Sequence, residues 1–248
     1  MFLEEIKTYC NSESQRSDEQ AESLYSRRME TAICKSVRRP FCIPYSEVPR
    51  KTINEWVDSN DIRLVSDFSF YHHSKEDVIR YSVEKRGDYD TLYTSMKNLY
   101  LDEFPAPTQS GKAYMVSSNG QHRRLVYNCI GLPKVNAYVQ KCSGNRWRYY
   151  FRNNQNACRV IKWLMHKGFI EEIELLDDRT MVISDKNNII GWILPDSEIS
   201  TLRGLLNDME DRFNLLCNSF DDVDKSILKY IHGSLWLCIS IYFVYSFK

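Results

Sequence analysis

The stretch that most constrains this chain is Lys112 to Val139, where a strand, a glycine turn, a helix, a second glycine and another strand follow one another. Lys112 to Ser117 reads as a strand, and Asn119-Gly120 supplies the turn. Gln121 to Ile130 reads as a helix closed by Gly131, and Val135 to Val139 as the next strand. A helix that starts directly after such a turn presents exposed N–H groups and the positive end of its dipole, an arrangement that binds anions. His122, Arg123 and Arg124 fall in its first turn and add side-chain donors, and arginine can hold a phosphate through two parallel hydrogen bonds. Two arginines on an ordinary surface are the alternative at this level.

The segments before this unit extend it. Phe41-Cys42-Ile43-Pro44-Tyr45 reads as a short strand, and Pro44 restricts it to an edge. Ile53 to Val57 is compatible with a helical turn, and Ile62 to Phe70 alternates as a strand does. His72 and Glu76, or His73 and Asp77, stand four apart, as metal ligands on a helix would. Ser74 and Asp77 have capping-box spacing, however, which reads instead as the start of a helix running to about Arg86 and closed by Gly87. A second helix follows from about Asp90 with Leu92, Met96 and Leu99 inward, and Pro105 and Pro107 force an extended segment. From Pro40 to Lys141 the order describes a small mixed α/β unit.

Tyr114 to Arg124, continued by Gly131 to Val139, resembles the signature of the ParB/sulfiredoxin superfamily: a strand, Gly-x-x-Arg opening a helix, a second glycine and a closing strand. Asn119-Gly120-Gln121-His122-Arg123 is also similar to the Asp-Gly-Gln-His-Arg motif of DndB-like proteins, with asparagine for the aspartate. Phe41 to Val48 resembles the family's opening strand, and Asp90 to Leu99 its helix before the central strand. The resemblance implies an α+β, ParB/sulfiredoxin-like small mixed-sheet domain. It further implies that Asn119, Gly120, Gln121, His122, Arg123 and Arg124 bind a nucleotide phosphate. Family members use this turn in CTP-dependent DNA clamps, in sulfiredoxin, in a free-serine kinase and in some ATPases or nucleases. Sulfiredoxin places a cysteine after the glycine where this chain has Gln121, so that chemistry is not expected. Partition proteins add an all-helical DNA-binding domain that is not evident in this sequence. The kinase needs a carboxylate near the opening strand, for which Glu47 is the candidate, with a solvated loop residue as the alternative.

Residues 1–39 read as a helical N-terminal arm. Ser17 and Gln20 have capping-box spacing, and Ala21, Leu24, Tyr25, Ala32 and Ile33 recur at near-helical spacing, leaving Arg27, Arg28 and Glu30 as a solvated face. The expected organisation is therefore this arm, the ParB/sulfiredoxin-like domain over 40–142, and a C-terminal helix-plus-hairpin extension over 143–248. In the extension, Arg146-Trp147-Arg148-Tyr149-Tyr150-Phe151-Arg152 interleaves bases and aromatics. Arg146, Arg148 and Arg152 on one face would be available to nucleic acid, while the aromatics could simply be a buried strand face. A helix follows from about Asn154 to Lys167, then strands at Phe169–Leu175, Thr180–Ser184 and Ile189–Leu194, and a longer helix from about Ser197 to Cys217. The apolar run Ser234 to Phe247 is shorter than the roughly 20 residues of a bilayer-spanning helix and suits a buried strand, with a membrane tail anchor as the alternative.

Formal net charge is zero, from 33 basic and 33 acidic side chains, so any nucleic-acid face must be local. Eight cysteines with no Cys-x-x-Cys pair and no basic-then-apolar N-terminus point to reduced thiols in a cytoplasmic protein rather than a disulfide framework. No metal site is expected. The functional expectation is a ParB-like nucleotide- or DNA-phosphate-binding protein, a regulator from a phage or other mobile element. One alternative is a phosphotransferase, ATPase or nuclease using the same pocket, with His122 moving a proton, Glu47 as the carboxylate, and ATP or CTP with Mg as the cofactor. Another is a protein–protein module with an idle pocket. The expected partners are nucleotide or DNA, with a homodimer left open and a membrane disfavoured.

Overall fold

A computed structural model describes residues 2–38, 43–45, 51–65, 73–106, 110–117, 120–141, 146–150, 155–175, 180–185, 189–194 and 201–246. The chain begins with α1 (Phe2–Ser14), α2 (Asp18–Cys34), β1 (Val37–Arg38), β2 (Ile43–Tyr45), β3 (Thr52–Asp58), a 3-10 turn (Ser59–Asp61) and β4 (Leu64–Val65). It continues through α3 (Lys75–Lys85), α4 (Tyr89–Met96), β5 (Tyr100–Pro105), β6 (Lys112–Val116), α5 (Gln121–Ile130) and β7 (Lys134–Gln140). The remainder is β8 (Arg146–Tyr150), α6 (Gln155–His166), β9 (Ile170–Leu175), β10 (Thr180–Asp185), α7 (Ile190–Ile193), α8 (Leu202–Ser219) and α9 (Ser226–Ser246). This is a mixed α+β fold.

The chain divides into two units. The first comprises residues 1–39, 50–104 and 113–142, and the second 40–49, 105–112 and 143–248. The helical N-terminus thus falls within the first unit instead of standing apart as an arm, and residues 40–49 fall within the second.

The first unit holds a six-stranded mixed sheet in the order β1-β4-β6-β5-β7-β3. β1 pairs with β4, β4 with β6, and β5 with β7, all in parallel; β3 runs antiparallel to β7 from Thr52↔Gln140 to Asp58↔Lys134. The segment around Ile53–Val57 is therefore a strand and not the helical turn expected from the sequence. A run this short carries no decisive periodicity, and seven residues of ladder with β7 settle it. β4 covers only Leu64–Val65 of the strand expected to reach Phe70, and residues 66–72 lie outside the described set.

Both capping boxes form. Ser17 accepts from the Gln20 N–H while the Gln20 side chain accepts from the Ser17 N–H, and Ser74 and Asp77 do the same at the start of α3. The core joins Ile6 and Cys10 of α1, Ala21, Tyr25 and Met29 of α2, Leu92 and Met96 of α4, Leu125 and Cys129 of α5, and Val135, Ala137 and Val139 of β7. Buried among these is Glu13, which accepts from Tyr25 Oη and from Arg16 Nε at 2.9 Å each. Satisfying that carboxylate ties α1 to α2.

The second unit holds a four-stranded antiparallel sheet, β2-β8-β10-β9. β2 lies at its edge, the one sheet position where Pro44 removes no needed donor. Leu205, Leu206, Met209, Phe213 and Leu216 form the buried stripe of α8. Two expected strands are helices: Ile189–Leu194 contains the buried turn α7, and Ser234–Phe247 falls largely within α9. An apolar run without polar alternation fits a buried helix as well as a strand, and periodicity cannot separate them. On α9, Ile227 and Ile231 are buried, whereas Trp236 is 70% and Leu237 61% exposed. Among the described residues, no helix is long and apolar enough to cross a membrane.

Candidate functional site

The site is built where β6 hands over to α5. Gly120 is the N-cap and is buried; a Cβ there would stand 2.9 Å from Val116 Cγ1 and 3.1 Å from Leu99 Cδ1. Glycine is required by close approach of strand and loop, not by a left-handed backbone. At the far end Gly131 does adopt the left-handed region, with φ of 82°, and its N–H donates to Tyr127 O at 2.8 Å. Both ends of α5 thus fall where the glycines indicated. Asn119, the first residue of the turn motif, lies outside the described residues.

Gln121 is half-buried in the first helical turn, beside His122. The His122 ring meets His73 edge to face, with centroids 4.9 Å apart and planes at 86°. The two rings border a cavity of about 550 Å³ between α3, α4 and α5. Val78, Leu92 and Val126 give it an apolar lining, and Asp77, Arg80, Ser95 and Arg123 add polar groups. Arg80 Nη2 bonds Asp77 Oδ1 at 2.5 Å. Arg123 Nη1 donates to Asn98 O at 2.6 Å and to Ser95 O at 3.4 Å, so α5 is clasped to the end of α4. Ser95 Oγ and Tyr127 Oη share a hydrogen bond of 2.6 Å, and burial pushes the Tyr127 phenol up to about 12.

Arg124 goes elsewhere. It is 1% exposed and donates from Nη2 to Ser36 Oγ at 2.6 Å and to Ala32 O at 3.5 Å, beside the end of α2. Burial first, and the charge of Arg63 second, push its guanidinium down to about 10. The structure therefore brings His122 and Arg123 to one cavity and sends Arg124 to a different face of α5. A single phosphate clamp built from both arginines does not form.

Glu47 and Arg152 lie outside the described residues, while Arg146 and Arg148 occupy alternate positions of β8, in the second unit. His73 is the residue that sequence reasoning considered only as a metal ligand; its place directly before the Ser74 cap, on the helix that meets α5, was the available signal. Among the described residues, no group of three or more His, Cys, Asp or Glu side chains is placed to hold a metal ion.

Arg28 is also displaced from the solvated face expected for it. Its Nη1 donates to Ile130 O at 2.5 Å and to Cys129 O at 3.3 Å, and Tyr9 Oη donates to Ile130 O at 3.0 Å. These bonds satisfy the last carbonyls of α5 and place a cation at the negative end of its dipole. Comparison of the chain with protein-family models, with curated proteins and with solved structures returns no match.

Proposed function

We propose that the first unit is a ParB/sulfiredoxin-like domain that binds a phosphate-bearing ligand, a nucleotide or a DNA phosphate, in the cavity bordered by His73, Arg80, His122 and Arg123. The observation that carries this reading is the edge-to-face pair of His73 and His122 beside Arg123, over an apolar lining of Val78, Leu92 and Val126. Apolar surface suits a nucleobase, and imidazole and guanidinium groups at the rim suit a phosphate. The volume, about 550 Å³, falls in the range of small-molecule sites.

Isothermal titration with ATP, CTP and a DNA duplex, in the presence and absence of Mg, tests the reading. Arg123→Ala and His122→Ala are expected to weaken the preferred ligand by about tenfold or more, the scale of one charge-assisted contact. Equal binding by wild type and both variants would overturn it.

The histidine pair favours one second reading, acid–base chemistry on a phosphoester, in which one imidazole takes a proton and the other gives one. That reading requires turnover of ATP, CTP or DNA that His122→Ala abolishes while its fold is kept. Binding without turnover leaves the domain a binding module.

A further inference from the structure

β3 forms one edge of the first unit's sheet, with β7 on its inner side. Lys141 N–H donates to Lys51 O at 2.9 Å and Ser59 N–H to Pro133 O at 3.2 Å, on either side of a regular register from Thr52↔Gln140 to Asp58↔Lys134. Backbone direction alternates along a strand. The odd-numbered residues therefore bond β7, while Thr52, Asn54, Trp56 and Asp58 turn their N–H and C=O groups outward. Among the described residues, β7 is the only strand beside β3, and Thr52 and Asn54 are exposed.

The other three edges of the two described sheets each carry a device against strand addition. β1 covers two residues, and β2 covers three and holds Pro44. β9 carries Glu171, Glu172 and Glu174, and its ladder with β10 has a register shift. Short strands, proline, charge and irregular register all discourage pairing. β3 is longer, at seven residues, and has neither a proline nor a lysine within it.

Such an edge accepts an extended strand, and its own sequence fits a second copy of itself. In an antiparallel pair about a two-fold axis at Ile53, Thr52 of each copy faces Asn54 of the other, and their outward groups exchange ladder bonds. Ile53 then meets its counterpart, and Lys51 stands opposite Glu55 on both sides of the axis. These are the non-hydrogen-bonded positions, where side chains approach most closely. Lys51 is exposed and the Glu55 side chain is 28% exposed, so each can be reached. Lys141 Nζ bonds Glu55 within the same chain and holds that carboxylate in place.

We propose that the protein pairs with a second copy of itself through β3, joining two six-stranded sheets into one. Opposite charges directly across a strand pair are favourable and like charges unfavourable, so the spacing of Lys51 and Glu55 selects both the partner and the register. None of the residues lining the cavity of His73 and His122 belongs to β3, so the pairing stands independently of ligand binding there.

Sedimentation velocity of the full chain over a series of concentrations tests the proposal. The expected result is a monomer–dimer equilibrium that Lys51→Glu weakens by about tenfold or more, because it sets carboxylates against each other on both sides of the axis. Asn54→Pro, which removes an outward N–H and no bond to β7, is expected to abolish the dimer. The control Lys162→Glu, which reverses an exposed charge on α6, is expected to leave it unchanged. Far-ultraviolet circular dichroism checks that each variant is folded, and Lys51→Glu, at an exposed position, decides the matter if the proline variant is not. A monomer at every concentration, or a dimer that Lys51→Glu or folded Asn54→Pro leaves as tight as the control does, would overturn the proposal.

Discussion

Arg123 and Arg124 are adjacent in sequence and hold opposite commitments: Arg123 donates to Asn98 O and Arg124 to Ser36 Oγ, each at 2.6 Å. Successive residues on a helix point about 100° apart. One of the pair therefore fastens α5 to the end of α4 while the other fastens it to the end of α2. The same geometry keeps Arg124 away from the cavity that Arg123 borders.

A buried guanidinium beside a second one is a costly way to fill space. Replacing Arg124 by methionine removes a desolvated charge while keeping most of its volume. The expected outcome is a urea midpoint equal to or above that of wild type, since apolar replacement of buried ions is often neutral or stabilising. A loss above about 3 kcal/mol would show instead that the Ser36 and Ala32 bonds stabilise the fold.

Arg28→Ala is expected to cost about 1–3 kcal/mol, because it strips the Cys129 and Ile130 carbonyls of a charged donor and removes a cation from the negative end of α5. Arg28→Lys, which keeps the charge and loses the fork, should recover part of it. Urea unfolding of the three proteins measures both effects.

Glu13 gives stability a defined acid dependence. Burial pushes its carboxyl up, but the hydrogen bonds from Arg16 and Tyr25, with the charges of Arg16 and Arg28, together hold it below the usual glutamate value of 4.5. A carboxylate held low in the folded state contributes stability that is fully present above its unfolded value and disappears as the pH falls through its folded one. Stability should therefore decline below about pH 4.5 in wild type, and less steeply in Glu13→Gln. Chemical unfolding at a series of pH values checks the slope.

Gly120→Ala places a methyl group 2.9 Å from Val116 Cγ1 and 3.1 Å from Leu99 Cδ1, both in the core, and is expected to cost about 1–3 kcal/mol. Gly131→Ala adds left-handed strain and meets the Arg28 guanidinium and Tyr9 Oη at 2.8 Å. Thermal unfolding should show both variants below wild type.

The thiols should differ sharply in reactivity. Cys34 is exposed, whereas Cys10 and Cys129 are buried and their thiols are pushed up, mainly by burial, to about 11 and about 12. Because the thiolate is the nucleophile, alkylation of the native protein with iodoacetamide should label Cys34 ahead of Cys10 and Cys129. Cys10 and Cys129 should react only after unfolding. Peptide mass spectrometry over a time course reads the order.

What the sequence made legible was governed by local chemistry. The boxes at Ser17 and Ser74, the glycines at 120 and 131, and the edge strand around Pro44 each depend on a few neighbouring residues. What it hid depended on distant partners. β3 is a strand because β7 lies beside it, and α7 and α9 are helices although their apolar runs are equally strand-like. The site shows the same division. The start of α5 was evident, but the separation of Arg123 from Arg124 follows from where α2 and α4 lie around that helix. His73 as the neighbour of His122 required the packing of α3 on α5.

The excursion of residues 40–49 has a consequence for how the protein can be made and cut. Ile43–Tyr45 leave the first unit after β1 and complete the sheet built from β8, β9 and β10, about a hundred residues before most of that sheet is synthesised. A growing chain must therefore keep this short lender strand waiting until β8 emerges. A fragment beginning at residue 143 inherits a sheet whose β8 keeps β10 but has lost β2, leaving backbone donors and acceptors on that edge open to any passing strand. Neither unit corresponds to a single uninterrupted length of chain, so a clean division of this protein by one cut does not exist.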